Sequence, residues 1–222
     1  MKKIISKLAI LVIASLPFLG INSAAALEGF AVGVSGQLSG FYGVGKETST
    51  SSGSGTARKT TEEAGAFDAE TAAVFAEVAA SDEISLGIEY IPSNINTPSN
   101  KNVQDTLTNT VSATFKDHTT LYANIGLPIL SGAYLKVGYI MVDVTTNEVL
   151  GTGGAYPNVD TTGITAGLGY NYDLDNGIFV RAEVSAAQYD DVSAANTNEA
   201  DKVVSVRDMV SATAQIKLGK KF

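Results

Sequence analysis

Apolar and small or polar residues alternate singly from Phe30 onward. Phe30, Val32, Val34, Gly36, Leu38, Gly40 and Tyr42 share one parity, and Ala31, Gly33, Ser35, Gln37 and Ser39 the other. Successive side chains of a strand point to opposite faces, so this period of two predicts a long strand with one apolar face. A helix would scatter the same apolar residues all round its axis. The signature returns at Ile84, Leu86, Ile88 and Tyr90, which alternate with Ser85, Gly87 and Glu89. Leu135, Val137, Tyr139 and Met141 alternate with Lys136 and Gly138. Ile164, Ala166, Leu168, Tyr170 and Tyr172 alternate with Thr165, Gly167, Gly169 and Asn171. Ile178, Val180, Ala182 and Val184 alternate with Arg181, Glu183 and Ser185. Near the end, Val210, Ala212, Ala214, Ile216 and Leu218 alternate with Ser211, Thr213, Gln215, Lys217 and Gly219. Between 64 and 80 the pattern is weaker, with Ala72, Val74, Ala76 and Val78 on one face and Glu77 on the other.

The connections are of two kinds. Long polar stretches occupy 46–63, 92–106, 145–160 and 190–202, and short ones occupy 81–83, 128–132 and 173–177. The last short one reads Asp-Leu-Asp-Asn-Gly, and its Asn-Gly pair is a strong hairpin signal. Segment 107–127 reads either as two strands broken at Lys116-Asp117-His118 or as one long strand. Splitting it gives nine strands and sends one long loop and the Asn-Gly turn to the wrong ends. Keeping it whole gives eight, with long and short connections in strict alternation. The chain is therefore predicted to be all-β, an eight-stranded antiparallel up-and-down transmembrane β-barrel with long loops outside and tight turns in the periplasm. The part of that strand around Asp117 then projects beyond the bilayer, which about ten residues suffice to cross.

The choice of inward face decides what kind of barrel this is. In a soluble sheet the apolar face is the core, whereas in a membrane barrel it meets lipid and the lumen is polar. The polar parity here consists mainly of Gly, Ser, Thr and Gln, small groups that fit a narrow lumen. Its charged members, Glu77, Glu89, Lys136, Arg181, Glu183 and Lys217, carry both signs. Opposite charges pair inside a narrow barrel, where an unpaired one is costly. These six residues form the candidate site, a structural polar network that closes the lumen. An ordinary wet sheet face is the alternative.

The N-terminus assigns a compartment. Met1-Lys2-Lys3 and Lys7 precede an apolar run over 8–21 and then Ser23-Ala24-Ala25-Ala26, the plan of a secretory signal peptide. The run is too short for a spanning helix, which needs roughly 20 apolar residues. Cleavage after Ala25 or Ala26 fits, with Ala26 preferred, giving a signal peptide over 1–26 and a barrel domain over 27–222. The chain has no cysteine, so neither disulfides nor thiolate-bound metal hold it. Its formal charge of −8 becomes −11 once Lys2, Lys3 and Lys7 are removed. An acidic export of this kind is a poor partner for nucleic acid, because phosphate binding needs a basic face.

The chain ends Gln215-Ile216-Lys217-Leu218-Gly219-Lys220-Lys221-Phe222. A terminal phenylalanine behind alternating apolar residues resembles the C-terminal signal by which bacterial outer-membrane barrels are recognised for insertion, with Phe222, Leu218, Ile216 and Ala214 at the matching positions. Lys220 stands where that family shows an aromatic or apolar residue, and its head can extend to water at the bilayer edge. Taken with the strand count and the signal peptide, the mature chain resembles the small eight-stranded outer-membrane barrels of the OmpA-like kind, and among them porin-like proteins of marine Gram-negative bacteria. That resemblance implies delivery by periplasmic chaperones, insertion by the barrel-assembly machinery, contact with outer-membrane lipid and lipopolysaccharide, and both termini in the periplasm. It implies no cofactor and no particular ligand for the loops.

Catalytic motifs are sparse. The single histidine, His118, is followed by Thr119 and Thr120, but Asp117 cannot orient it, because adjacent strand residues face opposite ways. The run from Gly40 to Lys46 begins like a phosphate-binding loop, yet Glu47 follows where Ser or Thr is required. Asp173, Asp175 and Gly177 begin like a calcium loop, but Val184 holds the twelfth position and cannot ligate. Asp190, Asp191, Glu199 and Asp201 read as a solvated acidic loop, with cation bridging to lipopolysaccharide as the alternative. The expectation is thus a non-enzymatic barrel that supports the membrane or displays loops, without a wide pore. A small channel for ions or polar solutes and a soluble periplasmic ligand-binding barrel are the alternatives.

Overall fold

The computed structural model describes residues 29–50, 58–104, 107–151 and 153–222. The proposed signal peptide, 1–26, lies outside the described residues. The chain forms β1 (Phe30–Thr50), β2 (Arg58–Ala79), β3 (Ile84–Ile91), β4 (Ile95–Asn96), β5 (Asn100–Gln104), β6 (Leu107–Gly126), β7 (Ala133–Leu150), β8 (Val159–Asp173), β9 (Ile178–Tyr189), β10 (Val192–Ala195) and β11 (Val203–Lys221). Eight of these, β1, β2, β3, β6, β7, β8, β9 and β11, pair antiparallel with their chain neighbours, and β1 closes on β11.

The register measures the tilt. Starting from Val74 and passing through Tyr90, Thr119 and Met141, the ladder reaches β8 at Thr162. Starting from Val74 the other way, through Val34, Leu218 and Val180, it reaches β8 at Tyr172. The two arrivals differ by ten residues, a stagger that inclines the strands by roughly 40° and leaves an interior just wide enough for side chains to fill.

The alternation read in the sequence is realised with the apolar parity outward. Lys217 is 0% exposed, while its chain neighbours Ile216 and Leu218 are 58% and 52% exposed. Val34, Leu38, Leu168 and Val184 likewise stand on the outer wall, and Ser35, Gln37, Glu77, Glu89, Arg181 and Glu183 are buried within. β6 is one strand, as the alternation of loops required. Its ladder to β7 is irregular between Lys116 and Thr119, where Asp117 takes φ 52, so the polar triplet that resembled a break is a bulge. The hairpin between β8 and β9 turns through Asn176 and Gly177, both in the left-handed region at φ 63 and 76, as the Asn-Gly signal demands.

The long connections differ from the expectation that they are loops. β1 continues to Thr50 and β2 begins at Arg58, β7 reaches Leu150 and β8 begins at Val159. Segment 92–106 contains β4 and β5, which pair with β6, and segment 190–202 contains β10, which pairs with β11. At this end of the molecule both faces of a strand are polar or exposed, so the period-two contrast disappears although the backbone ladder goes on.

Four inward glycines fix how the wall packs. Gly33 lies opposite Phe75, Gly87 opposite Tyr122, Gly169 opposite Tyr134 and Gly219 opposite Phe179. In each case a Cβ would stand closer than 3.0 Å to the facing ring. The aromatic side chain lies across its cross-strand glycine, and no other residue leaves room for it. Replacing Gly169 by Val should cost at least about 1–3 kcal/mol by overpacking against Tyr134. Gly36→Ala, whose new methyl would meet open space, should leave stability unchanged. Urea unfolding of the detergent-solubilised protein tests the contrast, and equal midpoints for the two variants would contradict the packing described.

Candidate functional site in the barrel lumen

The lumen is filled in layers. At the end with the tight turns, Phe75 and Phe179 are both fully buried and pack with Ala31, their ring centroids 6.2 Å apart. Above them Arg181 on β9 grips Glu77 on β2 with two bonds, Nη1 to Oε1 at 2.5 Å and Nη2 to Oε2 at 3.1 Å. Tyr122 donates to Glu77 Oε1 at 2.7 Å and Asn124 donates to the same oxygen at 3.2 Å. The guanidinium also lies 4.9 Å from the Phe179 ring centre and 5.0 Å from that of Tyr134. A planar fork with two parallel donors suits a carboxylate better than an ammonium does.

The next layer is a four-membered ring of alternating charge. Lys136 Nζ lies 2.8 Å from Glu183 Oε1 and 3.9 Å from Glu89 Oε1. Lys217 Nζ lies 2.6 Å from Glu89 Oε2 and 3.7 Å from Glu183 Oε2. Tyr134 donates to Glu183 at 2.6 Å, Gln37 donates to Glu89 at 3.1 Å, and Gln215 donates to Glu183. Both ammonium groups face the Tyr122 ring, at 4.6 and 5.0 Å from its centre. The six charged residues of the polar parity thus occupy two adjoining layers, three carboxylates against three cations. Burying ions carries a desolvation penalty of several kcal/mol each, offset only where partners and remaining hydrogen bonds are all in place. Every one of the six has such a partner.

Above the ring a chamber of about 40 Å³ remains, lined by Gln37, Ser39, Gln215, Thr213, His118 and Tyr189 among others. It has room for a few water molecules and no more. At the mouth, Ile91 and Ile95 pack on Ala73 with Phe41, Phe67, Ala69 and Phe115 around them. Phe41 stacks on Phe67 at 5.0 Å and faces Phe115 at 6.5 Å. Charged layers below and an apolar cluster above occupy the lumen along its length.

Tyr122, Tyr134, Asn124, Gln37 and Gln215 each complete a carboxylate. Gln37 and Gln215 stand on the polar parity read in the sequence, whereas Tyr122, Tyr134 and Asn124 were not singled out there. Their signal was present: Tyr134 stands two residues before Lys136, and Tyr122 and Asn124 continue the parity of Thr120. Phe75 and Phe179 stand two residues from Glu77 and Arg181 in the same way.

The motif-like segments singled out in the sequence make the following contacts. His118 Nε2 lies 3.4 Å from the Tyr189 hydroxyl, and Asp117 accepts from Tyr90 at 3.0 Å, so Asp117 and His118 serve different partners. The glycines from Gly40 to Gly45 lie within β1, laddered to β2 and β11. Asp173 is bonded to Asn171 and Lys221 beside the tight turn. Asp190 accepts from Thr162 and Asp191 from the Asp208 amide, each tying the β9–β10 corner to a neighbouring strand. Among the described residues no group of three or more His, Asp or Glu is arranged to hold a metal ion.

No protein-family model matches the chain, and no curated protein matches it in sequence. Solved structures do resemble it. Its likeness is to outer-membrane barrels. OprG from Pseudomonas aeruginosa is 13% identical, with a TM-score of 0.49 over 88% of this chain and 97% of its own. The attachment invasion locus protein Ail of Yersinia pestis is 11% identical, with a TM-score of 0.37 over 88% of this chain and 100% of its own. The outer-membrane protease OmpT from Escherichia coli is 8% identical, with a TM-score of 0.43 over 87% of this chain and 96% of its own. At these identities the likeness is one of architecture alone.

Arg181→Ala strands Glu77 in a buried layer and should destabilise the barrel by about 3–5 kcal/mol. Removing both charges together, as Glu77→Gln with Arg181→Met, should lose clearly less. Urea midpoints in detergent give the comparison, and an additive double variant would refute the pairing. A second expectation concerns Asp173 beside the turn. Burial raises its pKa, but Lys221 and Asn171 outweigh burial and hold it below the usual aspartate value. A carboxylate with a depressed folded pKa adds stability above its unfolded pKa and loses it as pH falls through the folded one. NMR titration should give a midpoint below that of a free aspartate, moving up in Lys221→Ala.

Proposed function

We propose that this protein is an outer-membrane β-barrel with a structural or surface-interaction role, that its tight turns and both termini lie in the periplasm, and that it is not an enzyme. The observation that carries this reading is the inverted distribution of side chains. Aliphatic groups cover the outer wall, and paired charges fill the inside. Water outside would reverse that preference, whereas hydrocarbon outside requires it. Among the described residues no helix is long and apolar enough to cross a membrane, and strands alone can span one when they close into a barrel.

Phe222 supports the assignment of the C-terminal strand as the assembly signal. Its N–H donates to Phe30 O at 2.8 Å and its carbonyl accepts from Gly29, so the terminal residue belongs to the closing seam between β1 and β11. Leu218 and Ile216 project outward from the same strand. A factor that reads the outer face of the last strand would meet Phe222, Leu218 and Ile216 together. Lipopolysaccharide and outer-membrane phospholipid are then the solvent of the wall.

A filled lumen favours the structural role over the alternative of a small channel. The charged ring and the Phe41–Phe67–Phe115 cluster stand one above the other in the lumen. Fractionated cells should yield the protein in the outer membrane, with an unboiled gel band that shifts on boiling. The purified barrel should give no discrete conductance steps in a planar bilayer. Recovery from the soluble periplasm would refute the membrane assignment, and steady unitary currents would replace the structural role with that of a channel.

A further inference from the structure

The barrel mouth is open along one strand. β2 pairs with β1 over its whole length, from Arg58 to Ala79, but with β3 only from Val74 to Ala79. β3 ends at Ile91, and the chain then folds as β4 and β5 against β6. Above Val74, the side of β2 turned away from β1 has no strand partner among the described residues. The Ala79 N–H donates to Gly29 O at 2.7 Å, which fixes the phase of the ladder. Odd-numbered residues of β2 bond β1, so the N–H and C=O groups of Ala64, Ala66, Asp68, Glu70 and Ala72 point to the open side. Across the seam, Ile91 and Ile95 pack on Ala73 near the lumen. Higher up, Asn100 donates to Glu63 at 3.1 Å.

We propose that this free edge docks an extended, basic peptide segment of another protein, which adds to β2 as a strand. The proposal rests on the surface-interaction reading above and gives it a place and a partner chemistry. An unpaired edge is a ready template for a further strand, and charged side chains, Lys above all, or Pro on it select or block what pairs there. After Arg58 and Lys59 at its start, this strand has no Lys, Arg or Pro from Thr60 to Ala79. It carries instead Glu62, Glu63, Asp68 and Glu70, all exposed. Glu62 is held by Arg207 across β1, while Asp68 and Glu70 stand on residues whose backbone faces the open side.

The same charges select the partner. In a two-fold pairing of two copies about Ala66, Glu62 would lie opposite Glu70 and Ala64 opposite Asp68. Like charges directly across a strand pair are destabilising. A segment with Lys or Arg at alternate positions meets carboxylates instead, while its backbone satisfies the open N–H and C=O groups. The Asn100–Glu63 bond is the latch that such a strand displaces.

The test uses the full-length protein folded in detergent and a labelled synthetic peptide of alternating Lys and Thr. Fluorescence anisotropy should show saturable binding, absent for the matching Glu and Thr peptide and lost when prolines interrupt the Lys peptide. Ala66→Pro deletes one N–H on the open side and leaves the β1 ladder intact. It should weaken binding about tenfold, the size of one lost hydrogen bond in a docked strand. Exchanging Asp68 and Glu70 for Lys should turn the preference to the acidic peptide. Hydrogen exchange on the unaltered protein is the second measurement, independent of whether Ala66→Pro folds. The amides of Ala64, Ala66, Asp68 and Glu70 should become protected when the Lys peptide saturates. Absence of binding, indifference to proline in the peptide, or unprotected amides at saturation would each overturn the docking site. The boiling shift of the same sample keeps the outcomes apart: its loss removes the barrel reading, and its presence without strand addition removes only this proposal.

Discussion

A wall that faces hydrocarbon must bond every backbone N–H and C=O to a neighbour, because lipid offers no substitute for a lost partner. Here closing β1 on β11, from Ala31 opposite Lys221 to Thr48 opposite Val203, meets that condition round the ring except along β2 above Val74, whose side away from β1 has no strand partner among the described residues. Closure with eight strands and a stagger of ten sets the bore, and the bore sets everything inside it. In so narrow a bore each inward residue among those described packs or pairs. Glycine is forced opposite the four rings because the wall curves too tightly for two bulky groups at one level.

The charged layers follow from the same narrowness. A single carboxylate in such a space would be desolvated without compensation, and a single cation equally so. Three of each sign, drawn from β2, β3, β7, β9 and β11, leave no net charge to be solvated. Their arrangement also ties strands remote in sequence. Glu77 and Arg181 lie 104 positions apart, and Glu89 and Lys217 lie 128 apart. Such contacts contribute only once the ring has closed, so they favour the closed barrel over partly paired sheets.

Much of this was legible in the chain, and the limits have physical causes. Period-two alternation marks a strand only where its two faces meet different surroundings. It therefore located the strands in the wall and placed Glu77, Glu89, Lys136, Arg181, Glu183 and Lys217 on the polar parity, while the alternation of long and short connections held β6 together through its bulge. The period of two went silent at 46–50, 58–63 and 145–150, where ladders continue with polar or exposed residues on both faces. Which carboxylate meets which cation depends on register summed round the ring, and no local pattern encodes that. The aromatic partners were hidden for a different reason. Tyr122, Tyr134, Phe75 and Phe179 look like wall residues in composition, and only their parity against a facing glycine shows that they point inward. The mouth cluster of Phe41, Phe67, Phe115 and Ile95 escaped notice because it joins a strand end to a segment read as loop.

The glycine–aromatic pairs have a consequence for assembly. A strand pair that slips by two residues keeps its apolar face outward and so escapes correction by the membrane. In the β9–β11 pair, such a slip would bring Phe179 opposite Lys217 or Lys221 instead of Gly219. The ring would then have nowhere to lie. The same holds at Gly33, Gly87 and Gly169, which lie in different strand pairs around the circumference. Hydrophobicity chooses the face, and these four keyholes choose the offset. Proofreading of register is thus built into steric fit.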